Sequence, residues 1–416
     1  MMLALFAGVS GLRNHQTDMD VIGNNIANVN TVGFKASRVT FQEAFVEQLQ
    51  GATRPSGLLG GTDPLQIGTG MKIASIDQLM TQGSLETTGQ PLDLAIQGDS
   101  FFALNSGPAR VYTRAGNFQL DSQGHLVSPS SGYLLQGINA DPFGNFGNGA
   151  TIGDIVIPLG QRAPAQATSQ MSLTGNLDAG AAVGTTHTMS ISVYDSAGAP
   201  HQVDLTFTNT GPGAWSWTAS SATATVTAGN GTVTFNANGS LASFTYPGGG
   251  ASLNIAPTGG GAAFNVTIDA GTVNGINGLV GFANPSNAVI NSQNGYAAGD
   301  LVNISVDTNG VVSGFFTNGV TRNLAQIAMA TFNNPGGLTR SGNSFYQESP
   351  NSGTPVIGFA GATSSSTLAP GTLEASNVDL STEFTNMIIA QRGFQANARV
   401  ITTADEMLNE LVNLRH

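Results

Sequence analysis

Hydrophobic residues recur every seventh position at both ends of this chain, and between the ends they alternate in short runs separated by turn residues. Near the start, Leu5, Leu12, Met19 and Ile26 keep the seven-residue interval, and Val9, Ile22 and Val29 widen the apolar stripe. Near the end, Met387, Phe394, Ile401 and Leu408 do the same, with Ala390, Asn397, Ala404 and Leu411 three positions further on. Such spacing lines one side of a helix and requires a partner helix to cover it. The two ends are therefore expected to meet as a coiled coil, with Asp18, Asp20, Asn24 and Asn28 facing elsewhere.

Gly8, Gly11 and Gly23 interrupt the first helix. Each costs about 1 kcal/mol relative to alanine, so the helix is marginal alone and needs burial to form. The second pattern, from Asp379 to Arg415, predicts a helix roughly 55 Å long at about 1.5 Å per residue. That is longer than one ordinary domain covers, so part of it must find a neighbour elsewhere.

The segment Asn28 to Lys35 is rich in helix terminators and turn formers. A short amphipathic piece, 41–50, follows, and 51–70 reads as an extended or loosely ordered Gly/Pro/Thr link. Strands are predicted at 92–96, 101–104, 111–113 and 118–120, then at 189–194, 203–207, 233–235 and 241–246, and again at 301–306 and 311–316. Turn signals of the form Asp-x-x-Gly stand at Asp121, Asp195 and Asp307. The expected fold is mainly β with a terminal α-helical coiled coil, in nested discontinuous domains whose outer members are β-sandwich or barrel-like. The expected division is 1–34 with 372–416 as the helical axial domain, 35–75 as a connector, 76–145 with 286–371 as an inner β domain, and 146–285 as an outer β domain.

Composition narrows the function. Charged residues are only 9% of the chain, the net charge is −12, and no Lys or Arg occurs between Ala163 and Thr321. A phosphate backbone or an anionic lipid surface would be repelled, so neither nucleic acid nor membrane is an expected partner. No apolar run approaches the roughly 20 residues needed to span a bilayer, so no membrane insertion is expected. The apolar start has no basic residue before it and Arg13 after it, the reverse of a cleaved signal peptide, so it is read as mature helix. Cysteine is absent, which removes disulfides and thiol catalysis.

No catalytic, cofactor or metal site is predicted. His15, His125, His187, His201 and His416 show no ligand spacing. Calcium loops need several oxygen ligands in close register, whereas each Asp-x-x-Gly carries one carboxylate and reads as a hairpin turn. Phosphate loops, nucleophile elbows and dinucleotide fingerprints are all missing from the sequence.

Several strings then become recognisable together. Asn24-Asn25-Ile26-Ala27-Asn28-Val29-Asn30-Thr31-Val32-Gly33-Phe34-Lys35 resembles the N-terminal signature of the bacterial flagellar rod and hook family. Gly83 to Phe102, Tyr112-Thr113-Arg114-Ala115-Gly116-Asn117-Phe118 and Leu373-Glu374-Ala375-Ser376-Asn377-Val378-Asp379-Leu380 are similar to its central and C-terminal motifs. Asp99-Ser100 departs from the glycine the family commonly has there, which alters only a turn. An insertion carrying Leu173 to Ala179 and Val193 to Gly198 resembles the outer domain of the hook members, against shorter rod members. The resemblance implies a helical tube of many copies outside the cell, built on the terminal helices around an axial channel, with Asn28, Asn30, Gly33 and Phe34 as the motif turn. It also implies export through the flagellar apparatus without signal cleavage, and neighbours in the distal rod, hook cap and hook–filament junction. It implies no cofactor and no enzymatic activity. The alternatives are a distal rod or junction protein of the same family, or a secreted β-rich carbohydrate enzyme or adhesin. The last would leave the terminal helices without a task.

Overall fold

The computed structural model describes residues 2–55, 60–107, 109–147, 149, 151–158, 160, 162–361 and 366–413. Two long helices mark the ends, α1 (Met2–Ala27) and α2 (Leu380–Asn413). At about 1.5 Å per residue the 34 residues of α2 span roughly 51 Å, close to the expected length. Helix α1 stops where Asn28 folds back, its side-chain amide donating to the Asn24 carbonyl at 2.8 Å and its side-chain oxygen accepting from the Thr31 hydroxyl at 3.0 Å. Helix α2 starts on Asp379, whose carboxylate accepts the Ser381 N–H at 2.8 Å, so an otherwise unpaired first-turn donor is satisfied. His416, Leu414 and Arg415 lie outside the described residues.

The chain forms two compact units. The first holds Met1–Pro158, Ile304–Ser313 and Asn323–His416; the second holds Leu159–Asn303 and Gly314–Arg322. Positions 146 and 285, the expected limits of the outer domain, fall inside the first and second unit respectively.

In the first unit, the expected connector 35–75 carries strands on either side of its Gly/Pro/Thr link, while within that link, 51–70, 65–68 is the one named strand among the described residues. Strands β1 (Ser37–Glu43) and β4 (Met71–Gln78) pair antiparallel with a bulge between Thr40 and Phe41. Between them β2 (Val46–Gln50) and β3 (Leu65–Gly68) form a second ribbon in which every residue is exposed. The alternation of apolar and polar residues in 37–50 has period two, which suits strand as well as a short amphipathic segment. Further along, strands 101–105, 110–113, 134–139 and 345–347 pair antiparallel. Phe101, Tyr112, Phe332 and Tyr346 meet edge to face at their centre, with Phe332 4.9 Å from the Tyr112 ring. Two short pairings bring the C-terminal segment back onto this sheet region: 367–370 on 94–97, and 372–374 on 85–87.

The second unit is a β sandwich. A five-stranded antiparallel sheet runs 186–194, 200–211, 214–220, 230–235 and 241–245. A second sheet joins 224–227, 253–257, 264–269, 170–176, 279–280 and 289–293, and in it 170–176 pairs parallel with both 264–269 and 279–280. Trp215 and Trp217, two apart on one strand, both point inward and are fully buried with Phe207, Val233 and Ile255.

Candidate assembly site: the terminal helix pair and its polar clasp

Helices α1 and α2 pack antiparallel. A β-carbon at Gly8 would lie 3.1 Å from Ile401 Cγ1, one at Gly11 would overlap the Asn397 carboxamide, and one at Gly393 would overlap the His15 ring. Further along, the Asn25 side-chain amide donates to Glu383 Oε1 at 3.1 Å. Position 8 thus meets 401, 11 meets 397, 15 meets 393 and 25 meets 383. The buried side of α1 is Gly8, Gly11, Ile22 and Asn25, and that of α2 is Ala390 and Ala404.

This seam differs from the one the heptads predict. Leu5, Leu12, Met19 and Ile26 flank it half-buried, Val29 lies half-buried beyond the helix end, Val9 is exposed, and only Ile22 among the apolar positions assigned to α1 is buried. On α2, Met387, Phe394 and Ile401 are half-buried while Leu408 and Leu411 are exposed. Asp18, expected to face away, is half-buried and lies close enough to His15 and Glu383 to feel both charges. The physical reason is size. Glycine and alanine let two backbones approach more closely than facing leucines would, and Asn25 finds its partner Glu383 there.

Burial pushes the Asp18 carboxyl up, against a smaller opposing effect of His15. Glu383 is likewise pushed up, first by burial and further by Asp18 and Asp379, while the Asn25 hydrogen bond opposes the shift.

Beyond the seam, both helices are fastened to the β region by a buried ion cluster. Glu374 is fully buried, and its Oε1 sits 2.6 Å from Lys35 Nζ, while its Oε2 lies 3.5 Å from Arg114 Nη1. Lys35 Nζ also donates to the Thr81 carbonyl at 2.7 Å, and the Gly83 N–H donates to Glu374 Oε1 at 2.9 Å. Arg114 donates to the Gly98 carbonyl at 2.7 Å and stands over the Phe101 ring at 4.9 Å. Burial pulls the pKa of Lys35 and of Arg114 down, and in both the Glu374 carboxylate pulls back toward the charged form. Removing one partner of such a cluster typically costs about 3–5 kcal/mol, because the others stay buried without compensation.

Two asparagines extend the clasp. Asn377 accepts the Ala36 N–H at 2.8 Å and donates to the Leu79 carbonyl at 2.7 Å. Asn25 accepts the Ser37 N–H at 3.0 Å and donates to the Ser37 carbonyl at 2.7 Å. The motif turn sits beneath them. Gly33 adopts φ +65° and its N–H donates to the Glu374 carbonyl at 2.8 Å, while any β-carbon there would strike the backbone of Arg114 and Ala115. Phe34 is buried under Arg340, whose guanidinium lies 4.9 Å from its ring, Asn28 is half-buried and Asn30 is exposed. Sequence reasoning assigned no role to Asn25, Arg114, Glu374 or Asn377. Their signal is Lys35, one of two lysines in a chain where charge is scarce, set in an apolar neighbourhood between Phe34 and Ala36.

The candidate chemistry elsewhere resolves into turns. Asp121, Asp195 and Asp307 each accept the N–H groups of the second and fourth following residues. His125 and His201 lie against Asp121 at 3.0 Å and Asp195 at 3.2 Å, and His187 against the Ala288 carbonyl at 2.8 Å. Among the described residues no group of three or more His, Asp or Glu side chains is placed to hold a metal, and no helix is long and apolar enough to cross a membrane.

A terminal helix pair clasped to the β region of the first unit, with large apolar side chains such as Phe6, Ile388 and Ile389 left exposed on it, has the architecture of a structural subunit. Family models support this along the chain: flagella basal body rod protein over residues 5–35, the flagellar hook protein FlgE/F/G D1 domain over 95–176, the flagellar basal body protein FlaE D2 domain over 164–296, and the flagellar basal body rod FlgEFG protein C-terminal over 369–414. The flagellar hook protein FlgE of Borreliella burgdorferi is 41% identical, with all of both chains covered. That of Escherichia coli is 34% identical, covering 99% of this chain and all of the relative. The flagellar basal-body rod protein FlgG of Bacillus subtilis is 30% identical, again with both chains fully covered. A crystal structure of the Helicobacter pylori hook protein FlgE2 aligns with a TM-score of 0.53 at 14% identity, over 70% of this chain and all of that one, which supports the fold alone. The chain belongs to the flagellar hook protein FlgE family: it is a structural hook subunit, not an enzyme.

Proposed function

We propose that the open apolar faces of α1 and α2 are the polymerisation surface through which identical copies build the hook tube. The observation that carries this reading is exposure. Phe6 is 62% exposed on α1, and Ile388, Ile389 and Val412 are 57, 62 and 63% exposed on α2. A soluble monomer rarely leaves contiguous apolar surface of this kind uncovered, and a seven-residue repeat already favours further helices as its cover. In this reading Leu5, Val9, Leu12, Met19, Ile26 and Val29 act with Met387, Phe394, Ile401, Leu408 and Leu411 as the assembly set, and Ile22, buried in the subunit, serves assembly by holding α1 in place. Residues 1–34 and 372–416 form the axial layer of a flexible tube that transmits torque.

The same reading makes the distal rod protein the partner at one end of the tube and junction proteins the partners at the other. The hook cap attends growth, and the subunit leaves the cell through the export apparatus without signal cleavage. The 41% and 34% identity to the Borreliella burgdorferi and Escherichia coli hook relatives, against 30% to the Bacillus subtilis rod relative, favours hook over distal rod. Deleting 379–416 tests the assembly surface. The truncated chain should keep its β structure by circular dichroism, sediment as a monomer and form no tubes by electron microscopy. Tubes formed without α2 would remove the basis of the proposal.

A further inference from the structure

The seam between α1 and α2 is close, with Asn397 seated against Gly11 and His15 against Gly393, and on either side of it the half-buried apolar flanks repeat every seven residues, so those flanks by themselves do not distinguish one register from the next. A repeat of that kind is satisfied again after a slip, and a buried polar group is the established way to exclude the slipped states, because misregister leaves it unpaired.

We infer that the Lys35–Glu374–Arg114 cluster is the register lock of the terminal helix pair. Glu374 is fixed to the N-terminal segment twice, through its carboxylate to Lys35 and through its carbonyl to the Gly33 N–H. Three residues on, Asn377 is held by Ala36 and Leu79. Two further on, Asp379 caps α2, and Glu383 in its first turn accepts from Asn25, which is itself bonded on both sides to Ser37. Polar contacts at Glu374, Asn377, Asp379 and Glu383 therefore lead in steps from the ion cluster into the first turn of α2 at the seam. Sliding this segment by one residue would put Leu373 or Ala375 where Glu374 stands, stranding the Lys35 ammonium, the Arg114 guanidinium and the Gly83 N–H in a buried site. The lock uses contacts within the first unit alone and does not depend on how copies assemble.

The chain has no cysteine, so cysteines placed at the exposed Gln16 and Gln395 can carry spin labels whose separation reports helix register in the full-length protein. The labelled parent should give one narrow distance. Glu374→Gln keeps the shape and an acceptor for Gly83 but strands both cations; it should broaden the distribution or displace it by up to about 10 Å, the rise of one seven-residue repeat. Glu374→Asp, which keeps the charge, should restore a single narrow distance. Hydrogen exchange of strands 101–105 and 134–139 shows whether the β region is intact. If Glu374→Gln loses that protection, Lys35→Met/Glu374→Gln, which strands one cation fewer, is read in the same way. An unchanged narrow distance in a variant with an intact β region overturns the inference. So does a parent distribution as broad as the variant's, or loss of the β region in both variants, since the cluster would then be a general core element rather than a lock.

Discussion

Replacing Gly11 and Gly23 by alanine, one at a time, separates what the seam demands from what a helix prefers. Both changes remove the same glycine penalty, about 1 kcal/mol each. At Gly23 no heavy atom lies within 4 Å of the new β-carbon, so the gain should appear nearly in full. At Gly11 the new carbon would overlap three atoms of the Asn397 side chain. Relief requires Asn397 to leave its rotamer or the helices to part, and overpacking of this kind costs about 1–3 kcal/mol. Subtracting the shared gain leaves Gly11→Ala between neutral and about 2 kcal/mol destabilising, and about 1–3 kcal/mol below Gly23→Ala. Asn397→Ala in the Gly11→Ala background removes the obstacle, so the two changes should be non-additive by about the same 1–3 kcal/mol. Urea unfolding of the full chain, followed by far-ultraviolet circular dichroism with helix and strand contributions separated, measures each value. If Gly11→Ala stabilises the helix pair as much as Gly23→Ala does, the close seam is wrong.

Two further predictions concern charge. Asp18 and Glu383 are both raised above the ordinary carboxylate value, so the folded helix pair holds protons that the unfolded chain has released. Their contribution is fully present below the ordinary carboxylate range near pH 4 and is lost as pH rises through the raised values, so the helix signal should melt at lower temperature at neutral pH than at pH ~5. Asp18→Asn should flatten that profile, and a profile that stays equally steep would reject the assignment to Asp18. In the second unit, burial opposes ionisation of Asp195, but the Ala199 N–H, the His201 ring and the Ala197 N–H outweigh it and hold the carboxyl below its usual value. The stability it supplies is present above the ordinary range and lost as pH falls through the lowered value. Asp195→Ala should cost about 1–3 kcal/mol in denaturant unfolding followed by the buried tryptophans, and a cost below about 0.5 kcal/mol would show the turn to be self-supporting.

Period alone made the architecture legible. The sevenfold apolar recurrence located both helices, and alternation around Asp-x-x-Gly turns located hairpins such as 301–306 with 311–316, because burial on one face is written directly into residue spacing. Which side of α1 meets α2 was not legible, and the reason is physical. Leu5, Leu12, Met19 and Ile26 mark the apolar stripe, but an apolar stripe says only that something must cover it, and in a polymer the cover can be another copy. The intramolecular partner is chosen instead by close approach at Gly8, Gly11 and Gly393 and by the hydrogen bond of Asn25 to Glu383, which hydrophobicity ranks last. Lys35, Arg114 and Glu374 were invisible as a set for a related reason: 260 and 339 residues separate Glu374 from its two cations, and no local pattern encodes a pairing that only the closed fold brings about. A subunit that must assemble gains from this division. Small and polar residues bring the two ends of the chain together, and in the proposed assembly the exposed apolar side chains such as Phe6, Ile388, Ile389 and Val412 are what a neighbour covers.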